Sequence, residues 1–200
     1  EITTRLVGSE MCIRDRDSTA WPNVTKKVSE GGLGFDSKWN MGWMNDTLKY
    51  FEIDPIFRKD HHGKLTFSFM YAFSENYLLP LSHDEVVHGK RSILNKMPGF
   101  LQAQMANVRS LYGYQMLHPG KKLNFMGNEF AQGLEWRFYQ ELEWCLLEKD
   151  ENRKMAKFVR DLNKIYLKEK SLWKDTQDTF EWIEPVSYTH LRAHETRSNL

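Results

Sequence analysis

The chain has 200 residues, of which 40% are apolar and 28% charged, so it can bury a core and is not intrinsically disordered. Its 28 Lys and Arg balance 27 Asp and Glu to a net charge of +1, which gives no electrostatic reason to expect nucleic-acid or membrane-surface binding. No apolar run is long enough to span a bilayer, and two cysteines cannot form a disulfide framework.

The two ends of the chain can be encoded by DNA segments that are reverse complements of each other. When residues are paired inward from the two ends, sixteen consecutive pairs accept complementary codons; Met11 as ATG, for example, opposes His190 as CAT. The implied DNA resembles a transposon-based sequencing-library adapter. We therefore expect residues 1–16 and 185–200 to be translated adapter, and we exclude them from the reasoning about the fold.

The remaining segment, 17–184, has equal numbers of acidic and basic residues and a single cysteine, Cys145. A single cysteine fits a reducing compartment, so we expect a cytoplasmic protein. The sequence carries no signal for an oligomeric state.

The first part of this segment is loop-rich. Residues 17–30 form a polar loop that leads into a glycine-rich turn at 31–35. The apolar spacing predicts a short helix over 45–51, and the aromatic stretch 65–73 fits either a helix or a strand.

The second part alternates strands and helices. The apolar run 77–81 predicts a buried parallel strand, and Pro98 opens a long helix. A second strand at 123–126 and a helix over 155–166 follow, and 180–183 alternates like the start of another strand. This alternation predicts an α/β fold with a parallel sheet, whose chemistry lies at the carboxyl ends of the strands.

The densest group of reactive side chains is 82–90, directly after the strand 77–81. Asp84 at a strand end can act as acid, base, nucleophile or cation stabiliser, although a loop with a helix-capping Asp is equally compatible. The spacing of His83 and His88 is not that of a zinc motif, so we predict no metal.

A second stretch interleaves indoles with polar donors: Lys38, Trp39, Asn40 and Trp43. Indoles stack on the apolar faces of sugar rings while polar side chains bind the hydroxyls, although two core tryptophans are the alternative. Glu129, after the second strand, is either another substrate contact or a buried polar residue.

Together these stretches resemble signature blocks of bacterial 1,4-α-glucan (glycogen) branching enzymes of the α-amylase superfamily, in the family's order: 17–22, 31–35, 38–44, 79–90 and 125–132. A His-Asp pair after a strand is shared across the superfamily. The longer block with Glu-Val-Val-His-Gly-Lys is more specific to branching enzymes.

The resemblance implies a (β/α)8 TIM barrel, of which 17–178 holds the later part, about strands six to eight with their helices. Residues near 31–40 match the sixth strand, 77–81 the seventh and 123–126 the eighth. Residues 179–184 would begin the family's C-terminal β-domain.

The family cleaves an α-1,4 glucan, holds the chain on an Asp nucleophile and transfers it to a 6-hydroxyl. The resemblance implies that Asp84 stabilises the transition state and that His83 binds a neighbouring hydroxyl. It also implies substrate contacts to glycogen or amylose, without a cofactor, from Lys38, Trp39, Asn40, Trp43, Glu85, His88 and Glu129.

Two catalytic groups of the family are missing from this sequence. The nucleophile belongs to an upstream block, and the general acid falls on Arg16, inside the expected adapter. We therefore expect the chain by itself to be inactive and not to form a stable independent domain.

Two other functions remain open: a related glucan hydrolase or transferase of the same superfamily, and a non-catalytic glucan-binding protein. The block 82–90 favours branching over the first, and the presence of the Asp and Glu upstream of this segment would decide against the second.

Overall fold

A computed structural model of the chain describes the backbone of residues 14–15 and residues 21–174, 176–181 and 183. The strands are β1 (Arg14–Asp15), β2 (Ser37–Trp39), β3 (Tyr77–Leu81) and β4 (Lys121–Asn124). The α-helices are α1 (Met41–Glu52), α2 (Gly63–Thr66), α3 (Ile93–Lys96), α4 (Leu101–Leu117) and α5 (Asp150–Lys168). Short 3-10 helices lie at Val28–Glu30, Pro55–His61, Phe67–Met70, His83–Glu85, Asn128–Phe130, Trp144–Glu148, Lys170–Leu172 and Gln177–Thr179.

The described strands form one parallel sheet in the order β1-β2-β3-β4. The predicted α/β fold with a parallel sheet is therefore confirmed, and β3 and β4 are neighbours. β4 begins two residues before the predicted strand because Lys121 already pairs with Leu78, and Phe125 N still donates to Leu81 O at 2.8 Å beyond its end.

The sheet contains one strand more than the sequence predicted. Arg14 and Asp15 pair in parallel with Ser37 and Lys38, at the edge next to β2. Ladder hydrogen bonds are made by backbone groups, so this pairing does not depend on which side chains the two residues carry.

β2 is short because of a proline in its neighbour. Asn40 N donates to Leu78 O at 2.8 Å. The next bond of this parallel ladder needs an N–H at position 80, which Pro80 lacks. The chain leaves the sheet at this point, and α1 starts at Met41, four residues before the predicted helix.

The core lies between the sheet and the helices. Leu79 and Leu81 on one face of β3 are fully buried, and they belong to one apolar cluster with residues of α1, α3, α4 and α5. Leu78 and Pro80 on the other face are buried as well. Burial of both faces is what the continuous apolar run of this strand predicted.

The aromatic stretch 65–73 is helical, in α2 and the 3-10 helix Phe67–Met70. Phe180 and Glu181 have no regular structure, and the Phe180 ring stacks on Phe69 with centroids 4.7 Å apart. The start of a C-terminal domain there stays a prediction. Among the helices that the structure describes, none is both long and apolar enough to cross a membrane.

Candidate functional site

The segment after β3 folds into a capped 3-10 turn. Ser82 Oγ accepts a hydrogen bond from Asp84 N at 3.2 Å, and the Glu85 carboxylate accepts one from Ser82 N. This reciprocal capping box uses the side chains of Ser82 and Glu85, both of which are buried. Glu85, predicted as a substrate contact, is thus placed inside the turn.

The same turn projects His83 and Asp84 outward at the carboxyl end of β3. His83 Nε2 lies 3.0 Å from Asp84 Oδ1, and the two side chains are 34% and 39% exposed. The imidazole of His83 packs against the rings of Phe125 and Trp136, with centroids 5.9 and 5.7 Å away. An oriented, partly exposed carboxylate of this kind can offset positive charge that develops on a ligand.

The predicted sugar contacts after β2 are placed differently. Lys38 is 5% exposed and its Nζ donates to Trp21 O at 2.7 Å, while Trp39 is half-buried. Asn40 is 3% exposed, and its Oδ1 accepts from Trp43 N at 2.8 Å as the N-cap of α1.

Trp43 is 1% exposed and stacks on Tyr114, with centroids 6.3 Å apart and an interplanar angle of 11°. His118 packs against the edge of the same indole at 6.0 Å. Because a buried indole has no free face for a sugar ring, the placement of Trp43 is that of the core alternative.

Two further predicted contacts lie apart from these residues. The His88 side chain is fully exposed, with Nδ1 3.6 Å from Glu135 Oε2. Glu129 lines a cavity of about 420 Å³ beside β4, which Tyr112 of α4 and Leu162 of α5 also line. The structure thus places His88 beside Glu135 and Glu129 at this cavity, and their role as substrate contacts stays a prediction.

Glu135 and Trp136, which contact the segment 83–91, were not among the predicted substrate contacts. Glu135 accepts hydrogen bonds from the backbone N–H groups of Gly89 and Arg91, and the Trp136 ring contacts His83. The only sequence signal for them is a Glu-Trp pair downstream of the polar cluster that follows the second strand.

Two charged side chains near the turn, Glu135 and Lys96, have lowered pKa values for different reasons. The N–H groups of Arg91 and Gly89 lower the pKa of the Glu135 carboxyl. Burial lowers the pKa of the Lys96 ammonium, which donates to Lys90 O, while Glu52 and Glu85 act in the opposite direction.

In the described part of the chain, no three His, Cys, Asp or Glu side chains group closely enough to hold a metal ion. Arg16, at the position expected for the general acid, lies outside the described residues.

These features define the class: a parallel α/β protein whose candidate site, His83 and Asp84, lies at the carboxyl end of a central strand. No family model matches the chain. The chain is similar to 1,4-alpha-glucan branching enzymes from Fusobacterium nucleatum, Halothermothrix orenii and Aquifex aeolicus, with identities of 70%, 61% and 56%.

These similarities extend over 169, 171 and 170 residues, or 84% of this chain, which spans only 28%, 27% and 27% of the relatives' lengths. The resemblance to branching enzymes predicted from sequence blocks is therefore confirmed over most of the chain. Among solved structures, the chain is similar to an acarbose-soaked debranching enzyme from Nostoc punctiforme, with a TM-score of 0.47 and 16% identity over 76% of this chain and 33% of that one.

Proposed function

We propose that residues 17–184 are part of a 1,4-α-glucan branching enzyme of glycogen biosynthesis, which acts in the cytoplasm. The observation that carries the proposal is 70% identity over 169 residues to a protein of that name. The His-Asp pair, partly exposed at the carboxyl end of β3, supports it independently of the alignment.

The parallel sheet supports a place for this segment in a (β/α)8 barrel, with β2, β3 and β4 as strands six to eight. Each of these strands is followed by a helix, and β3 is buried on both faces, as barrel strands are. A barrel closes only with eight strands, so the remaining ones belong to the part of the relatives that this chain does not span.

Within that barrel, Asp84 is the transition-state stabiliser of a retaining glucan transfer. As the α-1,4 bond breaks, the general acid protonates the leaving oxygen and positive charge develops on the sugar ring, which bonds to a carboxylate nucleophile. An acceptor 6-hydroxyl then takes the sugar from the nucleophile and gives its proton to the same acid–base group. The Asp84 carboxylate offsets that charge, and His83 binds a hydroxyl of the same sugar. Nucleophile and general acid come from residues outside this chain.

The two ends, 1–16 and 185–200, are adapter-encoded in this proposal. The aligned length of 169 residues supports this, because it is close to the 168 residues of the segment 17–184. The chain alone then has neither nucleophile nor general acid. It should produce no iodine-detectable branching of amylose, and branching by the purified chain would contradict the proposal.

A hybrid enzyme tests the function directly. In this hybrid, residues 17–184 replace the aligned segment of the Fusobacterium nucleatum relative, which supplies the other catalytic groups. We expect amylose to gain α-1,6 branches, measured by the loss of iodine absorbance and by chain lengths after enzymatic debranching. Release of reducing sugar without branches would indicate a hydrolase, and glucan binding without turnover would indicate a binding protein.

A further inference from the structure

Two adjacent residues, Glu135 and Trp136, make hydrogen bonds to the segment 83–91, which carries Asp84. Glu135 Oε2 accepts a hydrogen bond from Gly89 N at 3.1 Å, and its Oε1 accepts one from Arg91 N at 2.6 Å. Trp136 N donates to Val86 O at 2.8 Å. Three hydrogen bonds from one dipeptide thus fix the backbone of this segment at three points.

The two residues whose N–H groups bind the Glu135 carboxylate have an unusual backbone conformation. Gly89 has φ 81° and Arg91 has φ 64°, so both lie in the left-handed region. The N–H groups of these two alternate residues converge on the Glu135 carboxylate, while the N–H of Lys90 between them donates to Val87 O. An arginine pays a steric penalty for this conformation, and that conformation persists where the surroundings hold it.

The second residue of the pair continues the contact to the candidate site. The Trp136 indole stands edge-on to His83 at 5.7 Å and to Phe125 at 5.3 Å. His83 Nε2 in turn lies 3.0 Å from Asp84 Oδ1. Trp136, the residue after Glu135, thus limits together with Phe125 the positions open to the His83 imidazole, which in turn contacts the Asp84 carboxylate.

We propose that Glu135 and Trp136 are positioning residues that hold His83 and Asp84 in the orientation needed for glucan transfer. The expected effect on glucan transfer rests on the proposed function. The contacts of Glu135 and Trp136 with residues 83–91, which we call the clamp, do not depend on it. Neither residue needs to touch the sugar, because both act through the backbone of 83–91 and the His83 ring.

The test compares two glutamates of one loop in the hybrid enzyme. Glu135→Gln keeps the shape but turns one acceptor into a donor that faces an N–H group, so one of the two anchoring bonds is lost. We expect kcat to fall about 10-fold with KM changed less than about two-fold, because misplaced catalytic groups act on the chemical step. Glu141→Gln, at an exposed glutamate, should leave both constants unchanged.

Hydrogen exchange measured by mass spectrometry supplies a readout that does not need activity. Peptides covering 83–91 should exchange at least about 10-fold faster in Glu135→Gln than in the parent hybrid, since the segment opens more readily once one of the two bonds to Glu135 is lost. Glu141→Gln should show the parent exchange rate.

A rescue variant separates positioning from general damage. Arg91→Gly removes the steric penalty of the left-handed conformation. Added to Glu135→Gln, it should recover about three-fold of the lost kcat, whereas in the parent hybrid it should change kcat little.

Unchanged kcat and unchanged exchange in Glu135→Gln would overturn the clamp, as would a lower melting temperature with unaltered kcat. If the parent hybrid shows no branching, the proposed function fails while exchange over 83–91 still decides on the clamp. If the parent is active and Glu135→Gln equals it, the clamp fails and the function stands.

Discussion

The segments that follow β2 and β3 begin alike and end differently. Both leave a parallel strand with polar side chains that suit sugar recognition. After β2, α1 starts at once, and Asn40 and Trp43 turn inward to cap and pack it. After β3, a capping box satisfies the turn with Ser82 and Glu85, which leaves His83 and Asp84 partly exposed.

The difference shows that the position of a polar residue at a strand end does not by itself make it available to a ligand. What decides is which side chains the next helical turn needs for its own free N–H groups. In the turn after β3, the side chains of Ser82 and Glu85 form the capping box, and the Asp84 carboxylate is not part of it. The turn after β2 takes the amide of Asn40 instead.

The largest expected effect is a loss of activity when Asp84, in the segment after β3, is changed. Asp84→Asn in the hybrid enzyme should lower kcat about 1,000-fold, because an amide no longer offsets the charge of the transition state. Its free energy of unfolding should change by less than about 1 kcal/mol, since the Asp84 side chain is partly exposed and such contacts contribute little to stability. Asp60→Asn, at an exposed aspartate, is the control; equal activity losses in both variants would contradict the assignment.

The reverse pattern is expected for Trp43. Trp43→Ala should lower the free energy of unfolding by about 3–5 kcal/mol, the cost of emptying a core site of this size. The kcat of the folded hybrid should stay within about two-fold of the parent. Urea unfolding followed by circular dichroism, together with the branching assay, measures both.

Trp21→Ala is the matched control, because this indole is exposed and its backbone carbonyl still accepts the bond from Lys38. It should cost less than about 1 kcal/mol. A Trp43→Ala variant with parent stability and a much higher KM would instead favour stacking on a sugar.

Local patterns were enough to predict one segment but not the other. An apolar run followed by His83 and Asp84 predicts a buried strand with a polar end, and both features depend on adjacent residues. The burial of Trp43 depends on Tyr114 and His118, far along the chain. Glu135 acts on N–H groups 44 and 46 residues before it, which no local pattern reveals.

The buried region beside Trp43 should also respond to pH. Burial lowers the pKa of His118 to about 4; Ser68 Oγ lies 2.8 Å from its Nε2, and the nearby Lys122 charge acts in the same direction. Between pH 6.5 and about 4 the unfolded chain binds a proton that the folded chain does not. Stability should therefore fall on acidification, by about 2 kcal/mol from pH 7 to pH 5.

His118→Gln removes this titration, so its urea midpoint should depend less on pH over the same range. Identical slopes for the variant and the parent would show that His118 is not the responsible group. The lowered pKa of Glu135 predicts a separate loss of stability, confined to pH values below the usual 4.5 of its carboxyl group.

The smallest effect concerns the amide that distinguishes the two turns. Asn40 Oδ1 accepts from Trp43 N, whereas its Nδ2 has no hydrogen-bond partner in the part of the chain that the structure describes. If the oxygen alone matters, as a helix cap requires, Asn40→Ala should cost about 1–2 kcal/mol and Asn40→Ser less than about 0.5 kcal/mol. Asn45→Ala, on the exposed side of α1, is the control and should cost less than about 0.5 kcal/mol.

An equal cost for Asn40→Ser and Asn40→Ala would mean that the NH2 group of Asn40 is needed as well. A raised KM in Asn40→Ser would show that this NH2 group binds the glucan. Parent stability and KM in Asn40→Ser would identify Asn40 as a structural cap and leave His83 and Asp84 as the pair available to a sugar.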